Sequence, residues 1–223
     1  DTWGDHLVAC SDADGKLYEW QLATNTVAAP ITNAPVGNTG LLVTDERFIF
    51  ALGSGGNPRK VSWCDRENNT VWSAAATNEA GYLELQTSGR IQCGVRVQNQ
   101  SLILTTTDAH TATYSGPPYV YGIERVGTSC GIVSKQWVAV VDTGAIWMGK
   151  ESFFIYSGGT VQELNSDVAD YVYSDINVAQ MAKVVAVSNA KYSEIRWFYP
   201  SNEGVENDRY VSFNYQENTW TIG

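Results

Sequence analysis

Residues 137–164 read WVAVVDTGAIWMGKESFFIYSGGTVQEL. Three apolar runs lie inside this stretch, 137–141, 145–148 and 152–156. Each is rich in β-branched and aromatic side chains, which suit a pleated, half-buried surface. Asp142-Thr143-Gly144 and Gly149-Lys150-Glu151 separate the runs, and Ser157-Gly158-Gly159 leads into a polar last run, 160–164. Glycine accepts the positive φ that tight hairpin turns need, so these breaks read as turns. Four short strands joined by tight turns make one antiparallel meander, the size of a propeller blade.

Looser copies of its second half recur along the chain: an aromatic strand, a polar turn, a short last strand. Lys16-Leu17-Tyr18-Glu19-Trp20 precedes Asn25-Thr26-Val27, and Lys60-Val61-Ser62-Trp63 precedes Asn69-Thr70-Val71-Trp72. Thr113-Tyr114 precedes Gly116-Pro117-Pro118-Tyr119-Val120, and Tyr210 to Tyr215 precede Asn218-Thr219-Trp220. With Trp20, Trp63, Tyr114, Tyr156 and Tyr215 as register marks, the repeat is roughly 40–60 residues, near the spacing of propeller blades. The expected fold is mostly β: a propeller of about five four-stranded antiparallel blades, with a short helical insertion. One domain, 1–223, holds blades near 1–30, 38–73, 82–126, 132–164 and 184–223, with the insertion near 166–182.

Composition agrees. Twelve Tyr, eight Trp and 20 Gly against two Met favour a β-rich chain with many turns. The net charge of −10 argues against a surface that grips phosphates. It is compatible with one that DNA slides past. No apolar run nears the roughly 18 residues that span a bilayer. No signal peptide or initiator Met precedes Asp1-Thr2-Trp3-Gly4, so a processed chain or an excised domain is expected. Cys10, Cys64, Cys93 and Cys130 show no CxxC or CxH pairing and read as buried small hydrophobes rather than zinc ligands.

Along the chain, 3–10 reads as one strand, so the first blade shows three strands where the others show four. Residues 70–73 close the second blade, and 82–86 open the third. Residues 108–112 read as a turn containing His110, and Pro117-Pro118 as a loop or edge. Ser166 or Asp167 could cap a short helix through Asp170, and Ser174 or Asp175 a second one over 177–182. The loop 200–208, PSNEGVEND, is acidic and exposed.

The sequence offers little chemistry. Asp12-Ala13-Asp14-Gly15 shares its opening with a calcium loop but lacks the later ligands, and reads as a hairpin turn. His6 and His110 have no ligand partner nearby in sequence. Asp45, Glu46, Asp65 and Asp142 are candidate carboxylates for glycoside hydrolysis, but acids at turns are ordinary. No G-x-S-x-G elbow, P-loop or HExxH appears. The tryptophans alternate with β-branched residues and read as core rather than sugar platforms. No catalytic, cofactor-binding or metal-ligating residue is assigned. A carbohydrate- or receptor-binding propeller using exposed Trp and Tyr is the alternative reading.

The order WGDHLVACSDADGKLYEWQL (3–22), ERFIFALGSGG (46–56), KVSWCDREN (60–68), AIWMGKESFFIYSGGTVQEL (145–164), DYVYSDIN (170–177), EIRWFYPS (194–201) and NDRYVSFNYQENTW (207–220) resembles a family of bacteriophage proteins. These are the tail hub or nozzle proteins of short-tailed phages, also called packaged-DNA stabilisation proteins. The resemblance implies a non-enzymatic virion protein with a β-propeller, made in the host cytoplasm and assembled as a homo-oligomeric ring in the phage tail. It would join the portal-side adaptor to distal tail parts, and double-stranded DNA would pass without sequence-specific binding. It implies no catalytic residues and no cofactor.

Overall fold

The protein is described by a computed structural model over residues 1–22, 24 and 27–223. Its strands form five four-stranded antiparallel sheets, each a meander in chain order. The first sheet is β1 (Thr2–Trp3), β2 (His6–Cys10), β3 (Leu17–Gln21) and β4 (Ala29–Pro30). The second is β5 (Gly40–Val43), β6 (Ile49–Leu52), β7 (Lys60–Trp63) and β8 (Gly81–Glu84). The third is β9 (Ile91–Val97), β10 (Gln100–Thr105), β11 (Asp108–Gly116) and β12 (Val120–Thr128). The fourth is β13 (Val138–Val141), β14 (Gly144–Met148), β15 (Phe153–Ser157) and β16 (Thr160–Leu164). The fifth is β17 (Val185–Asn189), β18 (Glu194–Tyr199), β19 (Arg209–Asn214) and β20 (Thr219–Ile222). The four strands read from residues 137–164 are all present. Trp20, Trp63, Tyr114 and Tyr156 lie on third strands, and Tyr215 directly follows one. Asn25-Thr26 lies outside the described residues. No helix among the described residues is long and apolar enough to cross a membrane.

Several expectations are corrected. Gly4-Asp5, with Gly4 at φ +64°, splits 3–10 into the β1–β2 hairpin, so the first sheet has four strands, not three. The second sheet is closed by Gly81–Glu84 rather than by 70–73, and it takes the residues expected to open the third. The cause is local. Asp65 bridges Asn68, its N–H donates to the Val71 carbonyl, and Asn68 Oδ1 accepts from the Thr70 N–H and hydroxyl. Residues 65–72 thus fold onto themselves, and β7 pairs with a later segment. Gly81 is suited to that place, because a Cβ there would sit 2.7 Å from the Trp63 ring. Residues 108–112 are strand, not turn: the turn is Thr106-Thr107, and Leu104 pairs with Ala109.

The insertion holds a helix, α1 (Ala169–Asp175), and a 3₁₀ helix, Val178–Lys183. The second is capped by Asn177, whose side chain accepts from the Ala179 N–H, and not by Ser174 or Asp175. α1 has no side-chain cap; Ser166 Oγ accepts from Val168 N–H instead. Tyr173 donates to the carbonyls of Gly149 and Ser152, and Asn177 to that of Gly204. These bonds stitch the insertion to the β14–β15 turn and the β18–β19 loop.

The chain divides into two compact units, Asp1–Arg125 and Val126–Gly223. In the first, one core packs Trp3, Val8, Leu17 and Ile31 with Val43, Ile49, Ala51 and Cys64. A second core joins Phe48, Phe50, Val61 and Trp63 to Ile91, Ile103, Ala112 and Tyr121. The Tyr121 ring meets Phe50 edge-on at 4.7 Å and Phe48 at 5.3 Å. In the second unit Phe153 packs on Trp197 and Trp220 at 5.1 and 4.6 Å. Each fully buried side chain of this size contributes about 1.5–3 kcal/mol.

Candidate functional site

Each sheet presents its β-turns at two ends. At one end of the first sheet the turn between second and third strands meets the connection that follows the fourth. In the first sheet the Asp14-Gly15 turn makes this contact: the Asn38 N–H and side-chain amide both donate to the Gly15 carbonyl. A Cβ at Gly15, at φ +64°, would lie 2.7 Å from Gly37 Cα. Asp14 itself accepts from the Lys16 N–H and the Tyr18 hydroxyl. The Asp12–Gly15 segment is therefore a hairpin turn, as read.

The same end of the third sheet holds a buried polar cluster that the sequence reading missed. Asp108 Oδ1 accepts from the hydroxyls of Thr105 at 2.5 Å and Thr87 at 2.9 Å. His110 Nε2 lies 3.2 Å from the same oxygen, close enough for attraction but off the line of a hydrogen bond. Asp108 and His110 share a face because they are two apart on one strand; that spacing was the available signal. Asp108 is the one carboxylate among the described residues that is buried. Burial pushes its carboxyl up, yet the Thr105 and Thr87 hydroxyls and His110 outweigh this and hold it below the usual range. Burial holds the His110 imidazole below its ordinary value, against the pull of Asp108. The cluster fastens the connection after β8 onto the β10–β11 turn; the hydroxyl of Thr87 also accepts from Gly89 N–H.

This arrangement carries a pH dependence. Both folded pKa values lie below the unfolded ones, roughly 6.5 for His and 3.9 for Asp. The unfolded chain therefore binds the protons more tightly, and stability is lost as pH falls. The urea midpoint should begin to fall below about pH 6.5 and fall further below about pH 4. His110→Gln should remove the first part of that loss. A midpoint in the unsubstituted protein that holds or rises between pH 7 and 5 would contradict the assignment.

In the second unit an open cleft of about 510 Å³ is lined by Glu151, Ser152, Glu163, Asn165, Ser166 and Asp170. Ser152 Oγ donates to Glu163, and Trp220 Nε1 donates to the Asn165 carbonyl at 3.0 Å. Tyr173, bonded to the Ser152 carbonyl, has its hydroxyl pKa pushed up by burial and then by Glu151 and Glu163.

The carboxylates singled out for hydrolysis are mostly engaged elsewhere. Asp45 pairs with Arg96 at 3.8 Å, and Glu46 accepts from the Tyr121 hydroxyl at 3.0 Å. Asp65 accepts from the Glu79 N–H at 2.8 Å, and Asp142 is exposed in the β13–β14 turn. His6 Nδ1 lies 2.6 Å from Glu19 Oε1, so both histidines have a carboxylate partner. Among the described residues no group of three or more His, Cys, Asp or Glu is placed to hold a metal ion. Cys64, Cys93 and Cys130 are buried and Cys10 half-buried. Burial pushes the Cys64 thiol up to about 12. Trp63, Trp137, Trp147 and Trp197 are buried core, while Trp20, Trp72 and Trp220 are half-buried.

The sequential four-stranded sheets place the chain in the β-propeller class. No protein-family model matches the sequence, and no curated protein matches it. Among solved structures, dihydro-heme d1 dehydrogenase NirN in complex with DHE is similar with a TM-score of 0.59 at 10% identity, over 98% of this chain and 44% of that one. A putative exported protein from Bacteroides fragilis gives 0.52 at 12%, over 100% and 69%. The Vanderwaltozyma polyspora Nup133 β-propeller domain gives 0.50 at 12%, over 100% and 66%. The chain thus spans from under half to about two thirds of these structures' own length. They are propellers of varied function, an enzyme among them, and at these identities the likeness carries the fold alone.

Proposed function

We propose that this chain is a non-enzymatic structural component of a bacteriophage tail or neck, a tail hub or nozzle. It joins a portal-side adaptor to distal tail parts, forms a homo-oligomeric ring, and helps retain and conduct the packaged DNA. The resemblance of residues 137–164 and 194–220 to that family suggests the role. The observation that carries it is the placement of charge. Of the carboxylates in the described residues all but Asp108 reach the surface, in a chain of net charge −10. Such a surface repels phosphate, so a duplex moving past it is not retained. The engagement of Asp45, Glu46 and Asp65 in ion pairs and hydrogen bonds also favours architecture over hydrolysis. In fluorescence anisotropy with a random-sequence duplex at physiological salt, the dissociation constant should be weaker than about 10⁻⁴ M, the weak end of non-specific binding. Binding at about 10⁻⁶ M or tighter would overturn the conduit reading.

The cleft beside Trp220 favours a second reading, a carbohydrate-binding propeller, since carboxylates, an amide and hydroxyls there could bond sugar hydroxyls. A glycan array separates the two: saturable binding lost in Asn165→Ala and Asp170→Ala supports the second and counts against the first.

A further inference from the structure

Three backbone N–H groups at the β10–β11 end of the third sheet depend on two side-chain hydroxyls. Thr87 Oγ1 accepts from the Gly89 N–H at 2.8 Å. Thr105 Oγ1 accepts from the Thr107 N–H at 3.1 Å and from the Asp108 N–H at 3.0 Å. A hydroxyl has one proton to give, and both protons go to the same atom, Asp108 Oδ1. The carboxylate therefore sets both hydroxyls with their lone pairs toward the amides. Gly89 lies flat on this turn: a Cβ there would come within 2.5 Å of the Thr105 and Thr107 hydroxyls. Arg90 adds a second tie, its N–H donating to Thr106 Oγ1 and its carbonyl accepting from the Thr106 N–H.

His110 competes for that carboxylate. Its Nε2 is buried, lies 3.2 Å from Oδ1 and makes no hydrogen bond. Ile103 stands opposite it in register and belongs to the core that joins the second and third sheets. Paired residues share a face, so the imidazole is turned toward that core. The charged groups acting on it are Asp108, from its own strand, which favours a proton there, and Arg125, from β12, which opposes one. β10 carries no charged residue. A proton on Nε2 makes it a donor in a dry site, where a donor without an acceptor is costly. The acceptor in reach is the oxygen that already holds the two hydroxyls.

We propose that Asp108 is a two-position latch. With His110 neutral, it holds Thr87 and Thr105 and ties residues 85–90 to the β10–β11 turn. When His110 takes up a proton, the carboxylate turns to the imidazolium and lets that connection go. The change at the switch is one charge, and the element it biases is one carboxylate with two sets of partners. This goes beyond a general loss of stability in acid: the connection opens while the strands of the sheet stay paired.

Native-state hydrogen exchange followed by NMR tests the latch, with rates normalised to those of an unfolded chain at each pH. Protection of the Gly89, Thr107 and Asp108 amides should fall about tenfold between pH 7 and pH 5. At pH 5 it should be insensitive to dilute urea, the mark of a local opening, while protection of the β6 and β7 amides falls as urea is added. In His110→Gln the fall with pH should vanish. His110→Leu, which places an apolar side chain against the same core, serves if His110→Gln does not fold. Equal protection at the two pH values overturns the proposal. So does the same fall in the substituted protein, and so does protection that drops with urea at all three amides, which would make the opening global unfolding.

Discussion

Asp108→Ala should lower the melting temperature by roughly 10 °C, the consequence of losing about 3–5 kcal/mol. The carboxylate is buried and is the shared acceptor for the Thr105 and Thr87 hydroxyls, with His110 3.2 Å away. Hydrogen bonds to a charged group are worth about 1.5–3 kcal/mol each, and truncation leaves their donors without an acceptor in a dry site. Asp108→Asn keeps the shape and one oxygen but loses the charge, so about half the effect is expected. Thr87→Ala, removing one donor, should cost about 1–2 kcal/mol. Urea denaturation followed by circular dichroism measures all three. A loss below about 1 kcal/mol for Asp108→Ala would mean that the cluster is not what fastens this end of the third sheet.

Trp197→Ala should cost about 3–5 kcal/mol through the cavity it opens. The indole is fully buried, packs on Phe153 at 5.1 Å, and donates to the Trp137 carbonyl at 2.8 Å. Few neighbours can fill the space, because Phe153 and Phe213 are each already packed on the Trp220 ring. Trp197→Phe keeps most of the volume and loses the donor, so about 1–3 kcal/mol is expected. Equal losses for the two substitutions would show that the hydrogen bond, not the packing, dominates at this site.

The fold was most legible where glycines break long apolar runs, although the turn at Gly4 was read through. Residues 137–164 have a Gly in each break, and the four strands fall where they are read. Turns built otherwise were hidden. Thr106-Thr107 continues a β-branched run, so nothing in composition marks it as a turn. Asp108 and His110 look like loop residues yet are buried: two hydroxyls donate to the Asp108 carboxylate, and His110 lies 3.2 Å from it. The Asn68-Asn69-Thr70 segment resembles a turn before a strand, but its side-chain hydrogen bonds close a compact loop, and β7 waits for Gly81. The aromatic register survived both errors, because it rests on the strands and not on the loops between them. The cleft of the second unit was not legible at all: Glu151, Glu163 and Asp170 come from a turn, a strand and a helix, and only the fold brings them together.

The proposed role is architectural, with an acidic surface that lets DNA pass. Single-particle cryo-electron microscopy of the phage particle that the proposal implies tests it most directly. The five sheets are then expected in the tail below the portal, with carboxylates facing the DNA path. A particle without this chain, or one with those carboxylates turned to the outer rim and basic residues lining the path, would contradict it.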